Sequence, residues 1–431
     1  MYNLFKLNHL LSAGIAAVFV LTTACSDQAG DMMPEPVAEE VQLPEGVIAI
    51  EGQYIVVLNQ EPEGGKDNAR LSRHAFTENQ RKDLYAARQG RGRALFTAFA
   101  AKHGIAGDRI HKVFNSALAG FTAILTDHEL ASLKNDPRVL SVEQDYIIEP
   151  DPSFNEVVEA PEAVKENNGR LQADIMPWGI SWVGTSSATN IPSNRRAWIV
   201  DTGIDLDHID LNVDGAMAFN AVGSEGQDDL NGHGTHVAGI VGAKYNNLGV
   251  RGVCSGVKVV PVKVAQQNGT YWTSDLIDGI NYIHAVASAN DVINVSLRQS
   301  LNATVNQELI DLANTFVWVV VAAGNDANNA ANYSPASTGT QNRIFCISAH
   351  DSNGDWAWFS NYGDVVDNCA PGVSIYSTYK NGTYATLNGT SMAAPHAAGV
   401  LLHTSGILYN RGRRVNNDPH SPNDPLTFLT P

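Results

Sequence analysis

The chain has 431 residues, which is too long for one average domain and predicts two folded units joined by linkers. Its hydrophobic content of 44% and its 37 glycines are typical of a globular protein with a large core and many turns, and they exclude a mostly disordered chain. The formal net charge of −17 argues against nucleic acid or an anionic membrane surface as a partner.

The first 25 residues have the pattern of an export signal. Lys6 precedes an apolar run from Leu10 to Leu21, which is too short for a membrane-spanning helix, and small residues then lead to Cys25. Small residues before a Cys also resemble a bacterial lipoprotein signal, although Leu21 stands one position further from Cys25 than in the usual box. We therefore expect an exported protein that is either secreted or anchored by lipid at Cys25 to the bacterial cell envelope. A signal anchor or a chance apolar start is the remaining alternative.

Residues 26–51 are rich in Asp, Glu, Pro and Ala and lack an apolar period, which is typical of a flexible linker.

The pattern of residues 52–150 predicts a small α+β domain. Its elements are a strand at Tyr54–Asn59, a helix at Leu84–His103, strands at Val113-Phe114 and Phe121–Leu125, a helix from a capping box at Thr126 to Lys134, and a last strand at Val139–Ile148. This β-α-β-β-α-β order is that of a ferredoxin-like fold, and the pattern leaves the role of the domain open.

Residues 151–172 are again acidic and weakly patterned, and we interpret them as a second linker. From residue 173 to 431, short apolar runs alternate with helical patterns. The runs are Ala197–Val200, Val257–Val264, Val292–Leu297 and Val317–Ala322. The alternation predicts an α/β fold, a parallel sheet with helices on both faces.

Asp201 and His233 are the first two candidates for chemistry in this second unit. Asp201 follows an apolar run and precedes Thr-Gly, at the end of a strand where α/β sheets carry their sites. His233 stands among small residues in the segment Asn-Gly-His-Gly-Thr-His. Taken singly, such an Asp is more often a turn residue and such a His is more often structural. A metal site at His233 and His236 would need a third ligand, which the nearby sequence does not offer.

Ser391 and Asn325 complete the candidates. Ser391 lies at a predicted helix start, because Gly389 permits a sharp turn and Pro395 is tolerated only near the start of a helix. There the unsatisfied N–H groups and the helix dipole suit a developing oxyanion. Asn325 ends a buried apolar run and offers a carboxamide donor for the same purpose.

Together these four segments resemble the subtilisin-like serine proteases (peptidase S8 family), whose catalytic residues follow the order Asp, His, Ser along the chain. The resemblance covers about residues 173–431. The region 52–150 is similar to the inhibitor I9-type propeptide of the same family.

The resemblance implies a role for each candidate residue. Asp201 orients His233, which takes the proton of Ser391 and later returns it to the leaving amine. Asn325 and the Ser391 N–H hold the oxyanion. His236, the second histidine of its motif, is then structural.

The resemblance also implies that two segments bind the substrate backbone. They contain Ser296, Leu297, Arg298, Ala322, Ala323 and Gly324. The family usually has Gly where Arg298 stands, so we expect the cleft of this protein to have a different shape there. Asp326 is a candidate partner for Arg298 or for a basic residue of the substrate.

A structural calcium site follows from the resemblance as well. Its oxygen ligands are expected from Asp210, Asn246, Lys244, Leu248, Val250 and Asp174, of which Lys244, Leu248 and Val250 contribute backbone carbonyls. The alternative is a solvated Asn-Gly-rich turn without a metal.

Three cysteines lie beyond the signal segment, so an exported protein can form one bridge and keep one free thiol. By resemblance, the segments of Cys346 and Cys369 run beside one another, which implies a Cys346–Cys369 disulfide and a free, buried Cys254. The alternative is three free thiols.

We therefore expect a monomeric serine endopeptidase that hydrolyses proteins through an acyl-enzyme and broadly prefers apolar or large P1 residues. It would be made as an autoinhibited, self-processing precursor, with its own propeptide as inhibitor and folding aid. One alternative is a binding module whose triad stays buried under the propeptide. Another is an esterase of the α/β-hydrolase type, which would need Gly-x-Ser-x-Gly, whereas Ala393 stands at the last position.

Overall fold

The computed structural model describes residues 43–59, 76–150, 157, 175–187 and 195–431. The predicted export signal with Cys25, most of both predicted linkers and the predicted ligand Asp174 lie outside the described residues. Residues 43–431 cluster as a single unit. No helix among the described residues is long and apolar enough to cross a membrane.

Four strands and two helices form an N-terminal domain in the predicted β-α-β-β-α-β order. They are β1 (Val47–Leu58), α1 (Glu78–Ala101), β2 (Ile110–Asn115), β3 (Ala119–Ile124), α2 (Asp127–Lys134) and β4 (Val139–Ile148). The sheet is antiparallel, with the strand order β4-β1-β3-β2. The predicted ferredoxin-like fold is confirmed.

Capping boxes fix the beginning of both helices in this domain. Before α2, Thr126 Oγ1 accepts a hydrogen bond from Glu129 N, and Glu129 accepts one from Thr126 N, as the sequence predicted. A second box formed by Thr77 and Gln80 begins α1 well before the predicted start at Leu84. The prediction was late because the first turns of α1 are polar throughout and show no apolar period.

The second domain is built on an eight-stranded parallel sheet, which confirms the predicted α/β fold. Seven of its strands follow the order β17-β16-β14-β12-β6-β10-β7, and β8 pairs with β10 beside them. Its sheet strands are β6 (Arg196–Asp201), β7 (Asn212–Val213), β8 (Phe219–Asn220, paired with β10), β10 (Lys258–Lys263), β12 (Val292–Val295), β14 (Trp318–Ala322), β16 (Ile344–His350) and β17 (Asn368–Pro371). The other strands are β5 (Ser186–Ser187), β9 (Cys254–Ser255), β11 (Tyr271–Trp272), β13 (Gln299–Ser300), β15 (Tyr333–Ser334), β18 (Ile375–Tyr379) and β19 (Thr383–Leu387). The helices are α3 (Trp178–Val183), α4 (His233–Gly242), α5 (Thr273–Val286), α6 (Ala303–Ala313) and α7 (Thr390–Thr404).

Both faces of the parallel sheet are buried, which explains why its strands are apolar without alternation. On β6, Ala197 and Ile199 belong to a core cluster shared with α4 and α7. Trp198 and Val200, which point the other way, belong to a cluster shared with α5 and α6. Helices on the two faces therefore hold the carboxyl ends of the strands in fixed positions.

The N-terminal domain packs on the α5 side of this sheet. Its residues Ile55 and Phe114 join the core cluster that contains α5 and α6, and Tyr85 packs edge-on against Tyr282 with ring centroids 5.2 Å apart. Strand β11 pairs antiparallel with β4, with Tyr271 opposite Ile148, and extends the N-terminal sheet to five strands. The end of β4 is thereby held beside a loop of the second domain.

Candidate active site

Asp201 and His233 form a buried pair at the carboxyl end of the parallel sheet. Asp201 is the last residue of the central strand β6, and His233 is the first residue of α4. His233 Nδ1 lies 2.8 Å from Asp201 Oδ1, and the two side chains are 2% and 0% exposed. At this burial the carboxylate is shielded from water, so it accepts a hydrogen bond from Nδ1 and fixes the orientation of the imidazole ring.

Glycines on both sides of His233 allow this close approach. Gly232 precedes the helix with a φ of 111°, in the left-handed region that favours glycine. A Cβ on Gly234 would lie 2.1 Å from the carbonyl oxygen of Gly203, a contact that no side chain can make. The small residues around His233 are therefore required by packing against the turn that follows Asp201.

Ser391 is the second residue of α7. This end of the helix faces the carboxyl edge of the sheet. Gly389 before it has a φ of 142°, as the predicted sharp turn requires. Ser391 Oγ donates to the backbone oxygen of Ser296 at 3.2 Å, and the side chain is nearly buried. The helix α4, which begins with His233, and the helix α7, whose second residue is Ser391, belong to one core cluster.

Thr390 fixes the orientation of the Asn325 carboxamide. Asn325 Oδ1 accepts hydrogen bonds from Thr390 N and Thr390 Oγ1, both at 2.9 Å. Gly324 N in turn donates to Thr390 Oγ1 at 3.0 Å. With its oxygen held in this way, Asn325 presents its Nδ2 group as a donor on the Ser391 side. The sequence analysis missed Thr390, although its place directly before Ser391 was a usable signal.

A pocket opens beside Ser391 and Asn325. Besides these two residues its walls are Gly269, Tyr271, Ser296, Leu297, Arg298, Ala322, Gly324 and Thr390, together with Glu149 and Pro150 of the N-terminal domain. Five of the six residues predicted to bind substrate therefore lie together. Ala323 lies behind the wall, where its backbone N donates to Ile347 and its oxygen accepts from Asn361.

The presence of Glu149 and Pro150 shows that the N-terminal domain reaches into the site. Both residues follow β4, whose pairing with β11 leads the chain along one side of the pocket. Ile148, the last residue of β4, is buried in the same cluster as Tyr271 and Leu297. The strand β4 therefore pairs with the second domain through its backbone, as an extended peptide ligand does, and the two residues after it border the pocket.

His236, the other histidine of the motif, faces away from this chemistry. Its Nε2 lies 3.0 Å from the oxygen of Ile375 and 3.1 Å from that of Ala385, on the hairpin of β18 and β19. Burial lowers the pKa of His236 to about 3, so the ring is neutral and Nε2 is the donor. Its contacts tie α4 to the hairpin. Among the described residues no cluster of three or more His, Cys, Asp or Glu side chains is arranged to hold a metal.

Two of the residues expected to bind calcium, Lys244 and Val250, contact a third, Asp210. Lys244 N donates to the backbone oxygen of Asp210 at 2.8 Å, and Val250 N donates to Asp210 Oδ2 at 2.9 Å. Both ends of the loop 244–250 are thus tied to Asp210, which is fully buried. Within the loop, Asn246 Oδ1 accepts from Leu248 N at 2.9 Å.

The three described cysteines are free and buried. Cys346 and Cys369 lie on neighbouring parallel strands, but the register places Cys369 opposite Ser348. An offset of two residues separates the Cα atoms of Cys346 and Cys369 by about 8 Å, beyond the ~7 Å limit for a bridge. The predicted disulfide is therefore wrong, whereas the free, buried Cys254 is confirmed. Burial raises the pKa of the Cys254 thiol to about 11, which makes it inert.

Comparisons with known proteins agree with this geometry. The Subtilase family model matches residues 198–410, and the Peptidase inhibitor I9 model matches residues 53–151. The chain is 35% identical over 327 residues to the alkaline serine protease ver112 of Corniculantispora psalliotae, covering 73% of this chain and 78% of that protein. It is 33% identical over 298 residues to subtilisin E of Bacillus subtilis, covering 68% of this chain and 72% of that protein.

Among solved structures, a cold-adapted subtilisin-like serine proteinase superposes with a TM-score of 0.51 at 27% identity, covering 60% of this chain and all of that one. The match to the inhibitor family coincides with the domain whose last strand pairs with β11 and leads to Glu149 and Pro150 at the pocket. The esterase and binding-module alternatives lose their support, because the catalytic domain and the inhibitor domain match as a protease and its propeptide. The chain belongs to the subtilase family of serine peptidases and carries an I9-type inhibitor propeptide.

Proposed function

We propose that Asp201, His233 and Ser391 are the catalytic triad of this peptidase and that Asn325 belongs to its oxyanion hole. The observation that carries the proposal is the buried 2.8 Å bond between His233 Nδ1 and Asp201 Oδ1. Ser391 lies in the first turn of α7, which belongs to the same core cluster as α4. The carboxylate, base and nucleophile come from three separate elements, β6, α4 and α7, which one core cluster holds together.

The chemistry follows from which atoms each group has available. Since Nδ1 of His233 donates to Asp201, its Nε2 lone pair accepts the proton of Ser391 once Oγ leaves the oxygen of Ser296. Ser391 Oγ then attacks the peptide carbonyl, and the negative oxygen accepts hydrogen bonds from Ser391 N and Asn325 Nδ2. His233 passes its proton to the leaving amine, and water hydrolyses the acyl-enzyme by the same steps.

We also propose that the precursor processes itself, because Glu149 and Pro150 already lie in the pocket with Ser391. The cut would fall beyond Pro150, between about residues 150 and 174. The separated propeptide would then stay bound as an inhibitor, and before the cut it would assist folding. Its docking face includes the β4–β11 pairing and the packing of α1 on α5.

Expression of the Ser391→Ala precursor in a host without other processing proteases tests both points. We expect no hydrolysis of casein and a chain that keeps its propeptide covalently attached. The control is Ser255→Ala, a buried serine whose Oγ donates to Gly252 O away from the pocket, and this variant should mature and cleave casein. Maturation of Ser391→Ala in isolation would contradict self-processing, and residual casein hydrolysis would contradict the assignment of the nucleophile.

Calcium is part of the proposal as a structural ion. The loop 244–250 and Asp210 offer hard oxygen donors, a carboxylate, a side-chain amide and backbone carbonyls, which is the chemistry that Ca²⁺ prefers. Asp210 with Asn246 and the carbonyls of Lys244, Leu248 and Val250 would hold the ion. When bound, it would cross-link the loop after α4 to the segment after β6 and take no part in peptide hydrolysis.

We further propose that the protein is exported and works as a monomer. The support for export is the apolar run from Leu10 to Leu21 followed by small residues and Cys25. Plain secretion and lipid attachment at Cys25 both agree with that pattern. Intact-mass analysis of the N-terminal peptide distinguishes them, because acylation adds the mass of the fatty chains to Cys25.

A further inference from the structure

Arg298 places a positive charge at the rim of the pocket. Among the described residues that line the pocket, it is the charged side chain that the catalytic domain contributes. It follows Ser296 and Leu297 on one wall, and its Nη2 lies 2.7 Å from Oδ1 of Asp326, which follows Asn325 on the opposite wall. The ion pair therefore joins one wall of the pocket to the residue that directly follows the other wall.

Both ends of this pair are held in place. Asp326 N donates to Asn361 Oδ1 at 2.9 Å, and Asn361 Nδ2 donates to Asp326 Oδ2 at 3.1 Å. The Arg298 guanidinium lies 5.0 Å from the ring centroid of Tyr333, and the Arg298 oxygen accepts from Tyr271 OH at 2.9 Å. The side chains of Arg298 and Asp326 are 26% and 21% exposed, so a substrate side chain that enters the pocket reaches them.

The position of the pair identifies the substrate residue that meets it. Ser391 and Asn325 bind the carbonyl that is attacked, and the side chain nearest to that carbonyl belongs to P1. The segments 296–298 and 322–325 border the same pocket, and the pair joins Arg298 of the first segment to Asp326, which directly follows the second. The P1 side chain therefore lies against the Arg298–Asp326 pair.

We propose that the Arg298–Asp326 pair sets the charge preference of the P1 subsite, in which the two charges neutralise each other and select uncharged P1 side chains. The inference rests on the proposed triad, since that triad defines P1. A P1 carboxylate is attracted by Arg298 and repelled by Asp326. A P1 ammonium is attracted by Asp326 and repelled by Arg298. Loss of one member leaves the other charge uncompensated, so each single variant should shift the preference in the opposite direction.

The test uses mature enzyme and peptide anilides that differ only at P1, which is Phe, Lys or Glu. The variants are Arg298→Gln and Asp326→Asn, which remove charge with little change in size, and their double variant. We expect Arg298→Gln to raise the Lys/Glu ratio of kcat/KM and Asp326→Asn to lower it. Each shift should be about 10- to 100-fold, the range of a single contact in a specificity pocket. The double variant should return to the wild-type ratio.

Two controls separate the outcomes. Arg411→Ala removes an exposed arginine that binds Thr430 far along the chain, and it should leave the ratio unchanged. Cleavage of the Phe substrate by every variant shows that the triad works. If the wild-type enzyme cleaved none of the three substrates, the proposed function would fail. If Phe is cleaved but both single variants move the Lys/Glu ratio in the same direction or not at all, the inference is overturned.

Discussion

Among the contacts of the propeptide with the catalytic domain, those of Lys112 are the ones whose loss should most weaken inhibition of the protease by its propeptide. It extends from β2 into the catalytic domain, where its Nζ lies 2.8 Å from Asp275 Oδ1 and 3.4 Å from Asp278 Oδ2 on α5. The same Nζ donates to the oxygen of Ala221 at 2.7 Å. The Lys112 side chain is 18% exposed, so this ammonium is largely removed from water. Lys112→Met keeps most of the stem and removes the charge.

The expected loss of propeptide affinity follows from the charges that the Lys112→Met substitution leaves unpaired. Asp275 and Asp278 stay buried without their cation, and burial already raises the pKa of Asp275 to about 6 and also raises that of Asp278. Truncating one partner of a buried interfacial charge pair costs about 2–5 kcal/mol. Since ~1.4 kcal/mol is tenfold in affinity, the dissociation constant of the cleaved propeptide should rise roughly 30- to 4,000-fold. Because its pKa is raised, Asp275 takes up a proton more easily once Lys112 is replaced, and a neutral carboxyl costs less to bury. We therefore expect the dissociation constant to rise by a factor in the lower part of this range.

The assay follows the appearance of protease activity after purified precursor has processed itself and been diluted. Lys112→Met should release active enzyme at concentrations at which the wild-type complex remains inhibited. The control is Lys82→Met, because Lys82 Nζ donates to one backbone oxygen, that of Ala216, in an exposed position. Loss of that contact should cost at most about 1 kcal/mol. If both variants show the wild-type dissociation constant, the carboxyls of Asp275 and Asp278 are solvated in the complex, and the reasoning is refuted.

Two further predictions concern the metal and the sulfur atoms. Chelation by EDTA should lower the melting temperature of the mature enzyme by about 5–10 °C, because a ligand at a hundredfold excess over Kd stabilises by ~2.7 kcal/mol. Asp210→Asn should abolish this response, and an unchanged melting temperature of the wild type would contradict the calcium proposal. Thiol titration of the unreduced mature enzyme should find three thiols after denaturation and almost none before, because Cys254, Cys346 and Cys369 are buried and unpaired. A linked peptide containing Cys346 and Cys369 would contradict the observed register.

Local patterns in the sequence were sufficient to predict the main helices and strands and the order in which the candidate catalytic segments occur. The capping box at Thr126 defines the start of α2 because its hydrogen bonds join residues three apart. The apolar runs predict buried parallel strands because both faces of the sheet are covered. The glycines beside His233 and Ser391 indicate a close approach of the backbone and a sharp turn, which the structure contains at Gly234 and Gly389 respectively.

Contacts between distant segments were decided only by the tertiary structure. β1 begins at Val47, earlier than its own pattern predicts, because Val47 pairs with Ile148 of β4. Cys346 and Cys369 are on adjacent strands as expected, yet the register of those strands separates them. Register depends on how whole elements pack, and a shift of two residues is invisible to composition and periodicity.

The same limit applies to the active site and its inhibition. The sequence supplied Asp201, His233, Ser391 and Asn325, because each stands at the end of a strand or the start of a helix with a recognisable motif. The support of Asn325 by Thr390 and the anchoring of Lys112 between two carboxyls of α5 depend on side-chain positions that no local pattern encodes. Those positions are fixed when α5, α7 and the propeptide sheet pack on the parallel sheet, since only then do residues far apart in the chain come within hydrogen-bonding distance.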